Sequence, residues 1–246
     1  MAKHGKQFDV RYEENIKGIF RQGVIRVETD KGEEYSFDKM IITCPLDNLR
    51  NIMDCTPQET DLFSSIQYYD YHSSQVEIDN LSEKTCYIVD NFPRHRLGHP
   101  MAFYKRYNDT NLFTVYQIAS PGQDMETIEQ ILDNDLKQLG AKLKQIHAHD
   151  KWKYFPHVKK QELENGFYDQ LEALQGERST YFAGEIFNFA TMEHTADYSQ
   201  HIAQQLVRDH QREVAQIHKH RTTVYPLNSL NSGEEWLPGC FSFCTG

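Results

Sequence analysis

Residues 180–206 read TYFAGEIFNFATMEHTADYSQHIAQQL, and this stretch decides the fold. TYFA is a short apolar strand that stops at Gly184-Glu185, where a glycine permits backbone conformations that a Cβ disfavours. Beyond it Ala196, Ile202, Ala203, Leu206, Val207, Val214 and Ile217 recur at helical spacing, which predicts one long helix from Met192 to about Lys219. Thr191 stands where a helix N-cap belongs. An apolar strand, a glycine corner and a long helix in this order belong to an α/β architecture.

A second apolar run lies upstream. Met40-Ile41-Ile42-Thr43-Cys44 is continuous and closed by Pro45, the pattern of a strand covered on both faces within a parallel sheet. Before it, Ile25, Val27 and Thr29 alternate with Arg26 and Glu28, and Tyr35 and Phe37 alternate with Glu34 and Ser36. Asp30-Lys31-Gly32 separates the two runs, which predicts a hairpin with one face in and one out. Val10, Ile16 and Ile19 extend this β-rich opening. Leu46, Leu49, Ile52 and Met53 have helical spacing, whereas residues 66–119 read as extended, Tyr- and Phe-rich segments of a mixed or antiparallel sheet. Residues 127–145 predict an amphipathic helix with Ile128, Ile131, Leu132, Leu136, Leu139 and Leu143 in one stripe. A short aromatic segment at 152–158 and one helix over 167–174 follow, and residues 221–246 read as an irregular tail.

Composition narrows the functions. The 246 residues carry 26 basic and 36 acidic side chains, a net charge of -10, which argues against a nucleic-acid partner. No apolar run reaches the roughly 18 residues of a membrane span. The opening MAKHGKQFD lacks the apolar core of a secretory signal, and five scattered Cys do not form a disulfide pattern, which together imply a reducing, cytoplasmic setting.

Three segments in order resemble the C-terminal half of the flavin-containing amine oxidase superfamily, which includes the protoporphyrinogen-oxidase-like FAD enzymes. The hairpin leading into EYSFDKMIITCPLDNL is similar to that family's glycine hairpin and V-I-x-T-x-P strand. The aromatic sheet with its helix matches the family's substrate domain in order. TYFAGEIFNFATMEHTADYSQHIAQQL resembles the family's YFAGE strand, loop and helix. The resemblance implies an α/β protein with an α+β substrate domain, a partial FAD-binding domain, and a mixed β-sheet with flanking helices. It divides the chain into FAD-binding residues 1–54, a substrate-binding domain at 55–158, the C-terminal FAD-binding strand and helix at 159–220, and the tail. It places Gly184 and Glu185 against the ribityl and pyrophosphate region of FAD, and Thr191 and Met192 at the flavin's pyrimidine edge. There the partial charge of about +0.5 at a helix N-terminus favours reduced flavin. It places Ile16 beside the adenine, with Thr43, Cys44 and Pro45 close by.

The phosphate-cradling G-x-G-x-x-G of such enzymes occurs nowhere in the 246 residues. The two apolar strands also lack the neighbours that their composition demands. These features lead to the expectation of a missing N-terminal Rossmann segment or a partner chain. The implied reaction is hydride removal from a C–N or C–C bond of a small-molecule substrate. An isomerase of the same fold and a non-catalytic binding module are the alternatives. Other features read as structural. Lys105 is a surface lysine, Trp152, Tyr154 and Phe155 are core, and the pairs His147-x-His149 and His218-x-His220, like His201 and His210, are solvated histidines. Cys240 and Cys244 have no second pair for a metal.

Overall fold

The computed structural model describes residues 9–81, 85–188 and 191–224, with side chains through Gln216. The strands and helices in chain order are β1 Ile16–Phe20, β2 Ile25–Thr29, β3 Glu34–Phe37, β4 Met40–Ile42, α1 Pro57–Ser65, β5 Gln67–Asp79, β6 Thr85–Tyr87, β7 Pro100–Lys105, β8 Leu112–Ala119, α2 Met125–Gln138, β9 Lys142–His157, α3 Lys160–Glu164, α4 Phe167–Glu172, β10 Thr180–Phe182 and α5 Met192–Val224. The chain divides into two compact units. Met1–Phe63, Tyr168–Gly184 and Met192–Gly246 form the first, and Ser64–Phe167 with Glu185–Thr191 form the second.

In the first unit the predicted hairpin forms, with Val27 opposite Tyr35 and Glu28 opposite Glu34. Gly32 takes the turn at φ +81, and β1 adds a third antiparallel strand. In β2 the alternation does what it predicts, since Ile25, Val27 and Thr29 are buried and Arg26 is exposed, whereas in β3 Tyr35 is only half-buried and Phe37 is exposed. The two apolar strands are not each alone. β10 pairs with β4 in parallel, Tyr181 opposite Ile41 and Phe182 opposite Ile42. Among the described residues this sheet has two strands. Phe182 meets Phe63 edge to face at 5.6 Å, and Tyr181 and Ala183 pack with Ile202 of α5. Of the predicted inner face of α5, Ile202 is buried, whereas Val207 and Val214 are 51% and 39% exposed. The helix runs to Val224. The rest of the tail, with Cys240 and Cys244, lies outside the described residues, as do the side chains of His218 and His220.

The second unit is a five-stranded antiparallel sheet in the order β6-β7-β8-β5-β9, with α2 on one face. Parallel and antiparallel pairing are thus divided among separate sheets. Val76, Ile78, Phe103, Phe113 and Val115 of the sheet pack on Leu132 and Leu136 of the helix. Asp124 caps α2 by accepting from the Thr127 amide at 2.7 Å. The helix ends seven residues before the predicted boundary at 145. Gly140 takes φ +73, its amide bonds the Lys137 carbonyl at 3.1 Å, and the Ala141 amide bonds that of Leu136 at 2.9 Å. This glycine C-cap stops the helix, so Leu143 belongs to β9. β9 is longer than the predicted 152–158 segment. Its first half, KLKQIHAHDK, carries few apolar residues because it is an edge strand, where lysines guard against further pairing.

Candidate functional site

A cleft of about 560 Å3 opens in the first unit between the β1–β2–β3 sheet and the end of β4. Its walls are mainly apolar, with Ile16, Ile19, Val27, Ile41 and Leu49 among them. Thr43 and Cys44 also line it, so three of the eight predicted cofactor residues, Ile16, Thr43 and Cys44, meet here. Pro45 is not among the lining residues. It begins the 3-10 turn Leu46–Asn51. Arg11 and Lys39 reach the cleft, with Arg11 over the Tyr35 ring at 4.3 Å and Lys39 paired with Glu213 at 2.8 Å.

Gly184 borders the same place. It follows β10 at φ +136, and a Cβ built on it would stand 3.5 Å from the Thr43 carbonyl oxygen. That separation is ordinary contact. The glycine is therefore required here by its backbone conformation. Glu185 opens a 3-10 turn, Glu185–Phe187, in the second unit. Thr191 is exposed immediately before α5, and Met192 is 92% exposed as its first residue. Neither is among the residues that line the cleft.

Two features that position Gly184 are invisible in the sequence pattern. The Gln175 amide brackets Phe182, since its Oε1 accepts from the Phe182 N–H at 2.8 Å and its Nε2 donates to the Phe182 carbonyl at 2.8 Å. Nε2 also reaches the Tyr198 hydroxyl at 3.0 Å, which ties the strand to α5. Below the strand, Arg21 and Arg178 converge on Asp54 and Glu59. Arg21 forks onto both oxygens of Glu59 at 2.7 and 2.6 Å, and Arg178 reaches Asp54 at 2.5 Å.

In the second unit, the sheet face opposite α2 is aromatic. Register places Tyr71 opposite Trp152 and Ile118, and Tyr116 opposite Ala102 and Ser73. Tyr71 stacks on Tyr116 at 5.6 Å and meets Tyr154 at 5.0 Å. Trp152 is 62% exposed on this face, so it is wall and not core. Burial, with Tyr116 and Tyr154 adding to it, pushes the Tyr71 hydroxyl up to about 12. A raised value favours the neutral phenol in the fold, so this contribution to stability is complete below the unfolded value near 10 and is lost as pH rises toward 12. An ultraviolet tyrosine titration is expected to show Tyr71→Phe removing a phenol from the late-ionising class. Removal from the class that ionises near 10 would contradict this assignment. Lys105 ends β7 with its Nζ 5.5 Å from the Phe113 ring centre. His149, read as solvated, has a side chain only 4% exposed.

The described residues fit part of FAD. An apolar cleft beside a glycine corner suits a flat ring and close backbone approach. The phosphate-binding glycine motif is not in this sequence.

No protein-family profile matches the sequence, and no curated protein matches it. Solved structures do match. A CLA-producing fatty acid isomerase from P. acnes superposes with a TM-score of 0.72 and 27% identity, over 78% of this chain and 47% of its own. A protein assigned as a protoporphyrinogen oxidase from Exiguobacterium gives 0.57 and 14%, over 81% and 48%. A redesigned putrescine oxidase gives 0.52 and 9%, over 81% and 48%. The last two likenesses are of fold alone. The chain spans about half the length of the structures it matches.

Proposed function

We propose that this chain, which has the fold of the FAD-dependent amine oxidase-like superfamily, forms the substrate wall and part of the flavin support of an enzyme that moves a double bond in an unsaturated fatty acid. The observation that carries the reading is the isomerase likeness, with its higher identity and TM-score. The aromatic sheet face supports it, since packed Tyr and Trp rings give an apolar wall for a hydrocarbon chain. The expected oxidation of a C–N or C–C bond stays as the second reading, and the putrescine oxidase fold favours it.

Bound FAD supplies a hydride acceptor at flavin N5; an isomerase returns that hydride to the same carbon chain, and an oxidoreductase passes it to an external acceptor. In this reading Ile16, Thr43, Cys44 and Pro45 bound the adenine end of the cofactor. Gly184 lets backbone approach the linker, Glu185 orients a ribityl or ribose hydroxyl, and Thr191 and Met192 present helix amides to the pyrimidine edge. A Rossmann segment, in the same polypeptide or in a partner chain, supplies the phosphate cradle.

The test is to produce the chain together with the segment encoded upstream of it and to look for retained yellow flavin. Linoleic acid is then incubated with the product with and without oxygen. A product of unchanged mass with moved double bonds, formed without oxygen, supports the isomerase. An oxidised product that requires an acceptor replaces it with the second reading. A folded, colourless protein that ignores added FAD sinks both and leaves the binding module.

A further inference from the structure

A cavity of about 390 Å3 opens in the second unit, where β5 and β8 run together past the end of β7. Gln75, Arg106, Tyr107, Thr114 and His147 line it, so five side chains able to donate hydrogen bonds converge where no lining residue is acidic. In a chain of net charge -10 such a place is a local departure from a field that repels anions. Register fixes the face to which it belongs. Gln75 stands opposite Thr114, and Thr114 opposite Tyr104, while Gln75 lies four positions beyond Tyr71 on β5. Side chains return to one face at every second residue, so the cavity shares the face of Tyr71 and Tyr116 and not the face that α2 covers.

Two cations stand at the end of β7, and the pleat divides them. Lys105 pairs with Phe113 across the strands and holds its Nζ 5.5 Å from that ring, on the α2 side. Arg106 lines the cavity. It is exposed and has no ion-pair or hydrogen-bond partner among the described residues. Glu77, which shares this face, lies 3.9 Å from His147 Nε2. The guanidinium is therefore the cation available to an incoming anion. Its donors form a planar fork that fits both oxygens of a carboxylate at once, which an ammonium group does not.

We propose that this cavity is the carboxylate subsite for a long-chain fatty acid lying along the aromatic face. Arg106 takes the two carboxylate oxygens, and the hydroxyls of Tyr107 and Thr114 with the Gln75 amide complete the donor set. The acyl chain leaves the cavity past Ser73, which stands opposite Tyr116, and reaches the stacked rings of Tyr71 and Tyr116. Four strand residues span about 13 Å, so the carbons near the middle of an acid such as linoleate meet the rings while its charge stays in the cavity. The proposal rests on the fatty-acid reading above and adds a preference to it. Any ligand with the same hydrocarbon chain gains the wall, whereas the free acid gains the fork as well.

The subsite is tested by displacing cis-parinaric acid, a fluorescent polyunsaturated fatty acid, from the full chain at neutral pH. Inhibition constants are measured for linoleate and for linoleyl alcohol, and linoleate is expected to bind more tightly. Arg106→Met, at an exposed position just beyond β7, is expected to keep the fold and to weaken linoleate about tenfold, the loss of a charge-assisted pair, with the alcohol unchanged. Arg106→Lys keeps the charge without the fork and is expected to fall between the two. Lys137→Met on α2, at a side chain 64% exposed, removes the same charge away from the cavity and is expected to leave both ligands unchanged. A wild-type chain that binds acid and alcohol alike overturns the proposal. So does an R106M chain that loses both equally, or a K137M chain that reproduces the R106M effect. Failure to bind parinaric acid overturns the subsite together with the hydrocarbon wall. A selective loss in R106M, with no double-bond movement by the assembled protein, keeps the subsite and sinks only the isomerase reaction.

Discussion

Replacing Arg21 by methionine is expected to destabilise the first unit by about 3–5 kcal/mol, the range for stripping one partner from a buried ion pair. The Arg21 side chain is 0% exposed and Glu59 2%, so the substitution leaves a carboxylate in the interior without its guanidinium. The loss goes beyond one pair. The Arg21 Nε also donates to Asp54 at 3.0 Å and its guanidinium to the Asp54 carbonyl at 3.3 Å, and Arg178, at φ 50, leans on the same aspartate. Urea unfolding of the two proteins at neutral pH gives the difference, and a loss under 1 kcal/mol would refute the assignment. The double variant R21M/E59M is expected to recover most of it, because both charges leave together. Burial alone would push the Asp54 and Glu59 carboxyls up, yet the hydrogen bonds from Arg21, together with Arg178 at Asp54 and Thr56 at Glu59, hold both below the ordinary range. Depressed carboxyls contribute stability that is full above their unfolded values near 4 and is lost as pH falls through the folded ones. Wild type is therefore expected to lose part of its advantage over R21M/E59M in acid.

Gly184→Ala is expected to cost about 1–3 kcal/mol, the range for a side chain forced into sparsely populated backbone. The position isolates the backbone effect, because the new methyl group would meet the Thr43 carbonyl only at 3.5 Å. Thermal unfolding measures the loss. If the cleft serves as proposed, flavin retention in the assembled protein falls with it, since relaxing the dihedral moves the chain that follows β10. An unchanged midpoint would mean that the corner tolerates a different φ and that the glycine is not required.

Much of the first unit was legible because its signals are local. The hairpin announced itself through strict alternation around Asp30-Lys31-Gly32, and β4 and β10 through unbroken apolar runs. Their mutual pairing was not legible, since residues 42 and 180 are distant in sequence and nothing local to either run specifies a partner. β9 was hidden for a different reason. Its pairing with β5 rests on backbone bonds, while its side chains are those of an exposed edge. The helix stripe through Leu143 was a coincidence of spacing that Gly140 interrupts. At the site, Ile16, Thr43 and Cys44 line one cleft, whereas Gln175 and Arg21 act through polar contacts that leave no periodic trace.

The amide of Gln175 bears on how the small parallel sheet is extended. By bonding both the N–H and the carbonyl of Phe182, it occupies the flank of β10 where an incoming strand would dock. β4 carries no such plug among the described residues. Any strand contributed from outside these residues is thus steered to β4, so that growth of the sheet proceeds in one direction only and a single polar side chain acts as its terminus.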